Sequence, residues 1–138
     1  MYTSDELIGT LVLVHPQLSN DPAGKSGQVG IITGIELEND NIYVGFGKRG
    51  QGLYGTDALL LLKSAEQLKA LLHEHKQELS VTDYQALFQI ALLKEFRPTT
   101  ANIKTAMSLA LQSETVRNYS MRSIEDTLGL RQQQSLER

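Results

Sequence analysis

Ten of the eleven glycines fall within the first 55 residues, and the last 75 residues hold one. Glycine weakens a helix and serves turns and bent strands. A chain that spends its glycines this way changes architecture partway along. The stretch up to Lys63 reads as turn-rich β structure, and the remainder reads as helical. At 138 residues the chain is long enough for one domain or two very small ones. Sixty-three residues bury only a limited core by themselves, so we expect the two halves to pack together.

The first half carries a run of short strands separated by turn signals. Residues 10–15 form a first strand, ended by Pro16, and residues 16–27 are a loop. A second strand spans 28–37, with Val29, Ile31 and Ile35 on one face and Gly30 and Gly34 marking bends, bulges or close approaches. Residues 38–41 make a hairpin turn into a third strand, where Ile42, Val44 and Phe46 alternate. The basic turn 47–52 leads to a short fourth strand at 53–56. A helical turn at 57–59 then precedes a final strand at 60–62. Five short antiparallel strands without crossover helices point to a small barrel over residues 1–63.

Residues 64–131 read as a three- to four-helix bundle, and residues 132–138 as a polar tail. Ser64 with Gln67, and Thr82 with Gln85, have capping-box spacing. Ala65, Leu68, Leu71, Leu72 and His75 share a stripe in the first helix. In the second, Tyr84, Leu87, Phe88 and Ala91 do so, and Ile90 and Leu93 widen the apolar arc enough to make that helix central. Arg97-Pro98 stops it. A third helix spans 99–110 with Ile103, Ala106, Met107 and Ala110 inward. A fourth, capped by Ser113, runs to Gly129.

Charge and composition bound the function. The net charge is −3, and no segment carries the dense basic footprint of a strong phosphate binder. There is no cysteine, hence no disulfide or thiolate site. The first residues lack a basic region followed by an apolar run, and the longest clear apolar run is 58–62, so neither a signal peptide nor a membrane span is expected. From these features we expect a soluble, cytoplasmic protein. Gly24-Lys25-Ser26 is not a phosphate-binding loop: the earlier glycine would stand at Ser19, and a strand follows rather than a helix. His73 and His75 are two apart on one helix and point to different faces, and His15 has no evident partner. No grouping of residues suggests catalysis, a metal or a cofactor, so we expect a binding module and not an enzyme.

Two resemblances add to this. Residues 24–32, Gly-Lys-Ser-Gly-Gln-Val-Gly-Ile-Ile, followed by Asn41-Ile42-Tyr43-Val44, resemble the KOW motif. That resemblance implies an SH3-like barrel of the kind found in ribosomal proteins and transcription elongation factors, contacting RNA or protein. The expected fold class is therefore α+β, an SH3-like five-stranded antiparallel β-barrel followed by the helical bundle. Residues 106–119, with Ala106, Leu109, Leu111 and Thr115-Val116-Arg117-Asn118-Tyr119, resemble the helix-turn-helix of LuxR-type regulators, and Leu128-Gly129-Leu130 is similar to their closing segment. The chain departs from that pattern at Gln112 and Tyr119.

The resemblances imply contact with DNA or RNA through Lys25, Lys48 and Arg49 in the barrel turns, or through Lys104, Arg117, Asn118 and Arg122 in the helical half. Tyr43 and Tyr54 are candidate surface aromatics for stacking or a peptide groove. The rival expectation is a protein-interaction adaptor without nucleic-acid binding.

Overall fold

The computed structural model describes residues 4–19, 21, 23–96 and 99–129. The Arg97-Pro98 stop, Leu130 and the tail at 132–138 lie outside the described residues. The protein is α+β. Its strands are Leu11–Val14 (β1), Val29–Glu36 (β2), Asn41–Gly45 (β3), Gln51–Tyr54 (β4), Leu59–Leu62 (β5) and Met121–Ser123 (β6). Its helices are Ala65–Glu74 (α1), Val81–Phe96 (α2), Thr100–Ala110 (α3), Glu114–Ser120 (α4) and Ile124–Leu128 (α5). The strands form one sheet in the order β4-β3-β2-β1-β5-β6. β1 pairs antiparallel with β2 and β5, and β3 with β2 and β4. The order leaves β4 and β6 as edges and uses six strands where five were expected. Closure into a barrel is not part of what it shows.

The described chain divides into two units. One joins the residues up to Leu61 with those from Arg122 onward, and the other is Leu62–Met121. Residues 122–129, read from sequence as the end of the helical half, group with the sheet.

In the sheet unit, Leu7, Val12, Val14, Ile32, Ile42, Val44, Phe46, Tyr54, Ala58, Leu59, Leu61 and Ile124 make one buried cluster. The alternation of Ile42, Val44 and Phe46 is as the sequence indicates. β2 is not. Its pairing with β3 slips between Ile32 and Gly34, a bulge that changes the phase of the strand. Ile35 packs against the core, whereas Ile31 is exposed, so the two do not share a face. Gly30 marks a close approach. A Cβ there would lie 2.5 Å from Val44 Cγ1 and 2.9 Å from the carbonyl oxygen of Gly45. The hairpin turn at 37–40 closes with Asp40 left-handed, at φ 53°.

The expected long helix from Ser113 to Gly129 is broken. Ser113 caps α4, and its Oγ accepts the Val116 N–H at 3.0 Å. α4 ends at Ser120 because Met121 turns extended, and Met121–Ser123 becomes β6. Ser123 then caps α5 by accepting the Asp126 N–H at 3.0 Å, and Gly129 ends it left-handed at φ 73°. A second capping serine ten residues after the first lets the chain leave the helix, pair with the sheet and begin again.

In the helical unit, the capping box of Ser64 and Gln67 is present at α1. The second box is not where the sequence suggested. Ser80 accepts the Asp83 N–H at 3.1 Å, and Thr82 lies inside α2. Helix α2 packs against α1, α3 and α4. It buries Ala86, Leu87, Ile90 and Ala91, while Phe88, expected to face inward, is half exposed. Lys63 N–H donates to the Ser120 carbonyl at 2.8 Å, tying the two ends of the unit together.

Candidate functional site

Three of the residues singled out in sequence meet at one corner of the sheet unit. The Lys25 ammonium lies 5.9 Å from the centre of the Phe46 ring, within cation–π range. Arg49 Nη1 donates to Gln28 Oε1 at 2.7 Å, which ties the turn Gly47–Arg49 to the loop that carries Lys25. Lys48 stands exposed on the same turn.

The corner is organised by a carboxylate that sequence reading passed over. Asp21 Oδ1 accepts from the Gly24 N–H at 3.1 Å and from the Tyr54 hydroxyl at 2.9 Å. Its Oδ2 accepts from the Lys25 N–H and the Ser26 hydroxyl, both at 2.7 Å. Burial pushes its carboxyl up, but the hydrogen bonds from Ser26, Tyr54 and the Lys25 and Ser26 backbone outweigh that and hold it below the usual carboxylate range. Burial, reinforced by Asp21, pushes the Tyr54 hydroxyl above its ordinary value. Tyr54 is only 5% exposed, so it is a brace inside the fold and not the surface aromatic expected of it. The one signal for Asp21 was its place in a loop beside Gly24, as a residue type that bonds to nearby backbone.

A second carboxylate works similarly. Asp40 Oδ1 accepts from the Thr56 N–H at 2.9 Å and the Thr56 hydroxyl at 2.8 Å. Thr56 is buried, and its carbonyl accepts the Glu125 N–H at 3.0 Å at the start of α5. Asp40 and Thr56 thus hold the returning end of the chain.

The bases expected to read nucleic acid from the helical half are placed otherwise. Arg117 is buried at 8% exposure on α4 and does not project outward. Arg122 belongs to the sheet unit, half-buried, with Nη2 donating to the Asp126 carbonyl at 3.0 Å. Lys104 on α3 and Asn118 on α4 are exposed. His75 closes α1, with Nδ1 2.8 Å from Glu78 Oε2 and its ring 5.2 Å from that of Tyr119, and His73 is exposed. His15 Nδ1 accepts the Gln17 N–H at 3.1 Å. Among the described residues no group of histidines and carboxylates could hold a metal ion, and no helix is long and apolar enough to cross a membrane. A depression of ≈ 340 Å³ at the β2–β3 corner is lined by Ile35, Glu36, Leu37, Glu38 and Asn39 and brings in no basic group.

The outer face of β2, β3 and β4 carries three exposed apolar side chains beside the exposed polar Thr33 and Gln51. Tyr43 and Leu53 sit directly opposite each other, and Ile31 stands opposite Gly45 two positions along β3 from Tyr43. All three side chains are exposed: Ile31 at 42%, Tyr43 at 37% and Leu53 at 48%. Gly45 adds no side chain between them. The Tyr43 hydroxyl donates to Glu36 Oε1 at 2.6 Å; this hydrogen bond and the Glu36 charge push the Tyr43 pKa above its ordinary value, so the phenol stays protonated more readily. Compared with models of known protein families, with curated proteins and with solved structures, the chain matches none.

Proposed function

We propose that the protein is a non-enzymatic interaction module, an adaptor whose partner is a protein that packs on the outer face of β2–β4. The observation that carries this reading is the exposed set Ile31, Tyr43 and Leu53 on neighbouring strands beside an edge. β4 is the end of the sheet, and an extended segment of a partner can add there while laying alternate side chains beside Leu53. An acidic sheet half suits a protein partner better than a phosphate backbone. The finer fold reading belongs with this one. We infer that β1–β5 form an SH3-like unit, supported by the order β4-β3-β2-β1-β5, the bent β2 and a single core shared by these strands.

A second reading has its own observation. Lys25, Lys48 and Arg49 gather at the corner that resembles a KOW turn, and such a corner meets an anion such as an RNA phosphate. The helix-turn-helix reading has less support, because Arg117 is buried.

One experiment separates the readings. Proteins retained by the pure chain are identified, reconstituted from purified components, and titrated against the wild type and Leu53→Glu. In parallel, labelled duplex DNA and single-stranded RNA are titrated at low and moderate salt. A protein whose affinity falls tenfold or more with Leu53→Glu supports the adaptor. Saturable nucleic-acid binding that weakens steeply with salt and is lost when Lys48 and Arg49 become alanine overturns it in favour of the basic corner.

A further inference from the structure

Helix α2 is apolar on two sides, and only one of them is used inside its unit. Ala86, Leu87, Ile90 and Ala91 are buried. On the other side Val81 is 74% exposed, Phe88 49% and Phe96 70%, with Leu92 half-buried among them. At 3.6 residues per turn these four lie within about 80° around the helix axis. The stripe therefore runs the length of a helix about 24 Å long. This explains why α2 reads in sequence as a central helix: the second apolar face is an outward one.

The spacing of the stripe is symmetric. Val81 and Phe96 are the two ends of α2, and Phe88 stands at its midpoint. Turned end for end about an axis through the midpoint, the stripe meets itself: Val81 against Phe96 of the copy, Phe88 against Phe88. That is the self-complementarity a two-fold interface requires. Charge agrees. The neutral side chains Gln85 and Gln89 flank Phe88. Glu95, the acidic residue beside this face, is paired with Lys69. Among the described residues, Val81, Phe88, Leu92, Phe96, Gln85 and Gln89 carry no charge, so two copies of an acidic chain can bring these positions together without opposing like charges there. With Gln85, Gln89 and Leu92 added to the three exposed side chains, complete coverage of the stripe in a pair would bury at most on the order of 1,000 Å², where the smallest specific interfaces begin, so a weak dimer is the expected form.

We propose that the chain forms a two-fold homodimer through antiparallel pairing of α2, weak enough to dissociate in the micromolar range. The proposal is independent of what the sheet face binds.

The test uses the full chain, which has no cysteine and so gives a clean background. Sedimentation from low to high micromolar concentration is expected to show monomer passing to dimer, and Phe88→Glu is expected to weaken the dimer at least a hundredfold. Register is read by mild oxidation. Phe88→Cys alone should give a covalent dimer. Val81→Cys and Phe96→Cys should give little alone but cross-link when mixed. Far-UV circular dichroism and melting confirm that each variant is folded, as their exposed positions lead one to expect. A chain that stays monomeric throughout, a dimer indifferent to Phe88→Glu, or cross-linking of Val81→Cys to itself in preference to Phe96→Cys would each overturn the proposal.

Discussion

The sheet unit and the helical unit solve the problem of holding a small core in opposite ways. The helical unit is one unbroken stretch, Leu62–Met121, and its cohesion is local. Each helix begins at a serine or threonine cap: Ser64, Ser80, Thr99 and Ser113. The sheet unit is assembled from distant parts of the chain. Its core contains Leu7 and Ile124, and its corners are fixed by carboxylates that reach across more than a dozen positions, Asp21 to Tyr54 and Asp40 to Thr56. Local order comes from caps, whereas non-local order here uses part-buried hydrogen bonds and a chain that comes back.

The largest effect tests that return. Ile124→Ala should destabilise the sheet unit by about 2–5 kcal/mol, since it empties a fully buried position. In hydrogen exchange, protection should fall in β1–β5 more than in α1–α4. By the same reasoning a fragment ending at Lys63, which lacks Ile124 and the Glu125–Thr56 bond, should not hold a stable sheet. Equal loss in both units would show that the division has no energetic meaning.

Gly30→Ala comes next. The added methyl meets the backbone carbonyl of Gly45 as well as Val44 and Phe46, so β2 and β3 must separate, at a cost of about 1–3 kcal/mol. Urea denaturation measures it, and a neutral result would mean that the strands can slide apart freely.

Smaller effects concern the hydrogen bonds. Tyr54→Phe should cost about 1 kcal/mol at neutral pH. Asp21 ionises more readily in the folded protein than in the unfolded chain. Its contribution is therefore complete above the ordinary carboxylate range and is lost as pH falls through that range to the folded value. Removing the Tyr54 donor lessens the shift, so the variant should lose less stability on acidification than the wild type. A pH series of melting curves on both proteins decides this. Ser64→Ala, at about 1 kcal/mol, is the counterpart in the other unit: exchange should quicken at the start of α1 and leave the sheet unchanged.

Much of this architecture could be read from residue types. The alternation at Ile42, Val44 and Phe46, the caps Ser64 and Ser113, and the left-handed Gly129 are local signals, and the structure uses them. What could not be read depends on register and partners. Gly34 marked β2 for a bend or bulge, but the slip between Ile32 and Gly34 also changes the phase of the strand, and residue type does not say that Ile31 then faces out while Ile35 faces the core. Residues 121–123 look helical by themselves and become a strand because an edge is there to receive them. Arg117 was expected to project outward from the helix-turn-helix resemblance, yet on the seven-residue α4 it is buried, as are Val116 and Ser120. Tyr54 misled in the same way. Its ring completes the core, and Asp21 satisfies its hydroxyl, a pairing over 33 positions that no local pattern announces.

The position of β6 has a consequence during synthesis. β5 is four leucines, and its neighbour on the far side from β1 is made only after the roughly 60 residues of the helical unit, about 3–12 s later at ribosomal speeds of 5–20 residues per second. For that interval the four leucines lack both Ile124 and their last strand partner, so the nascent chain exposes an apolar, strand-prone segment of the kind that invites pairing with other chains. Chaperone demand should therefore track the length of whatever is inserted between β5 and β6.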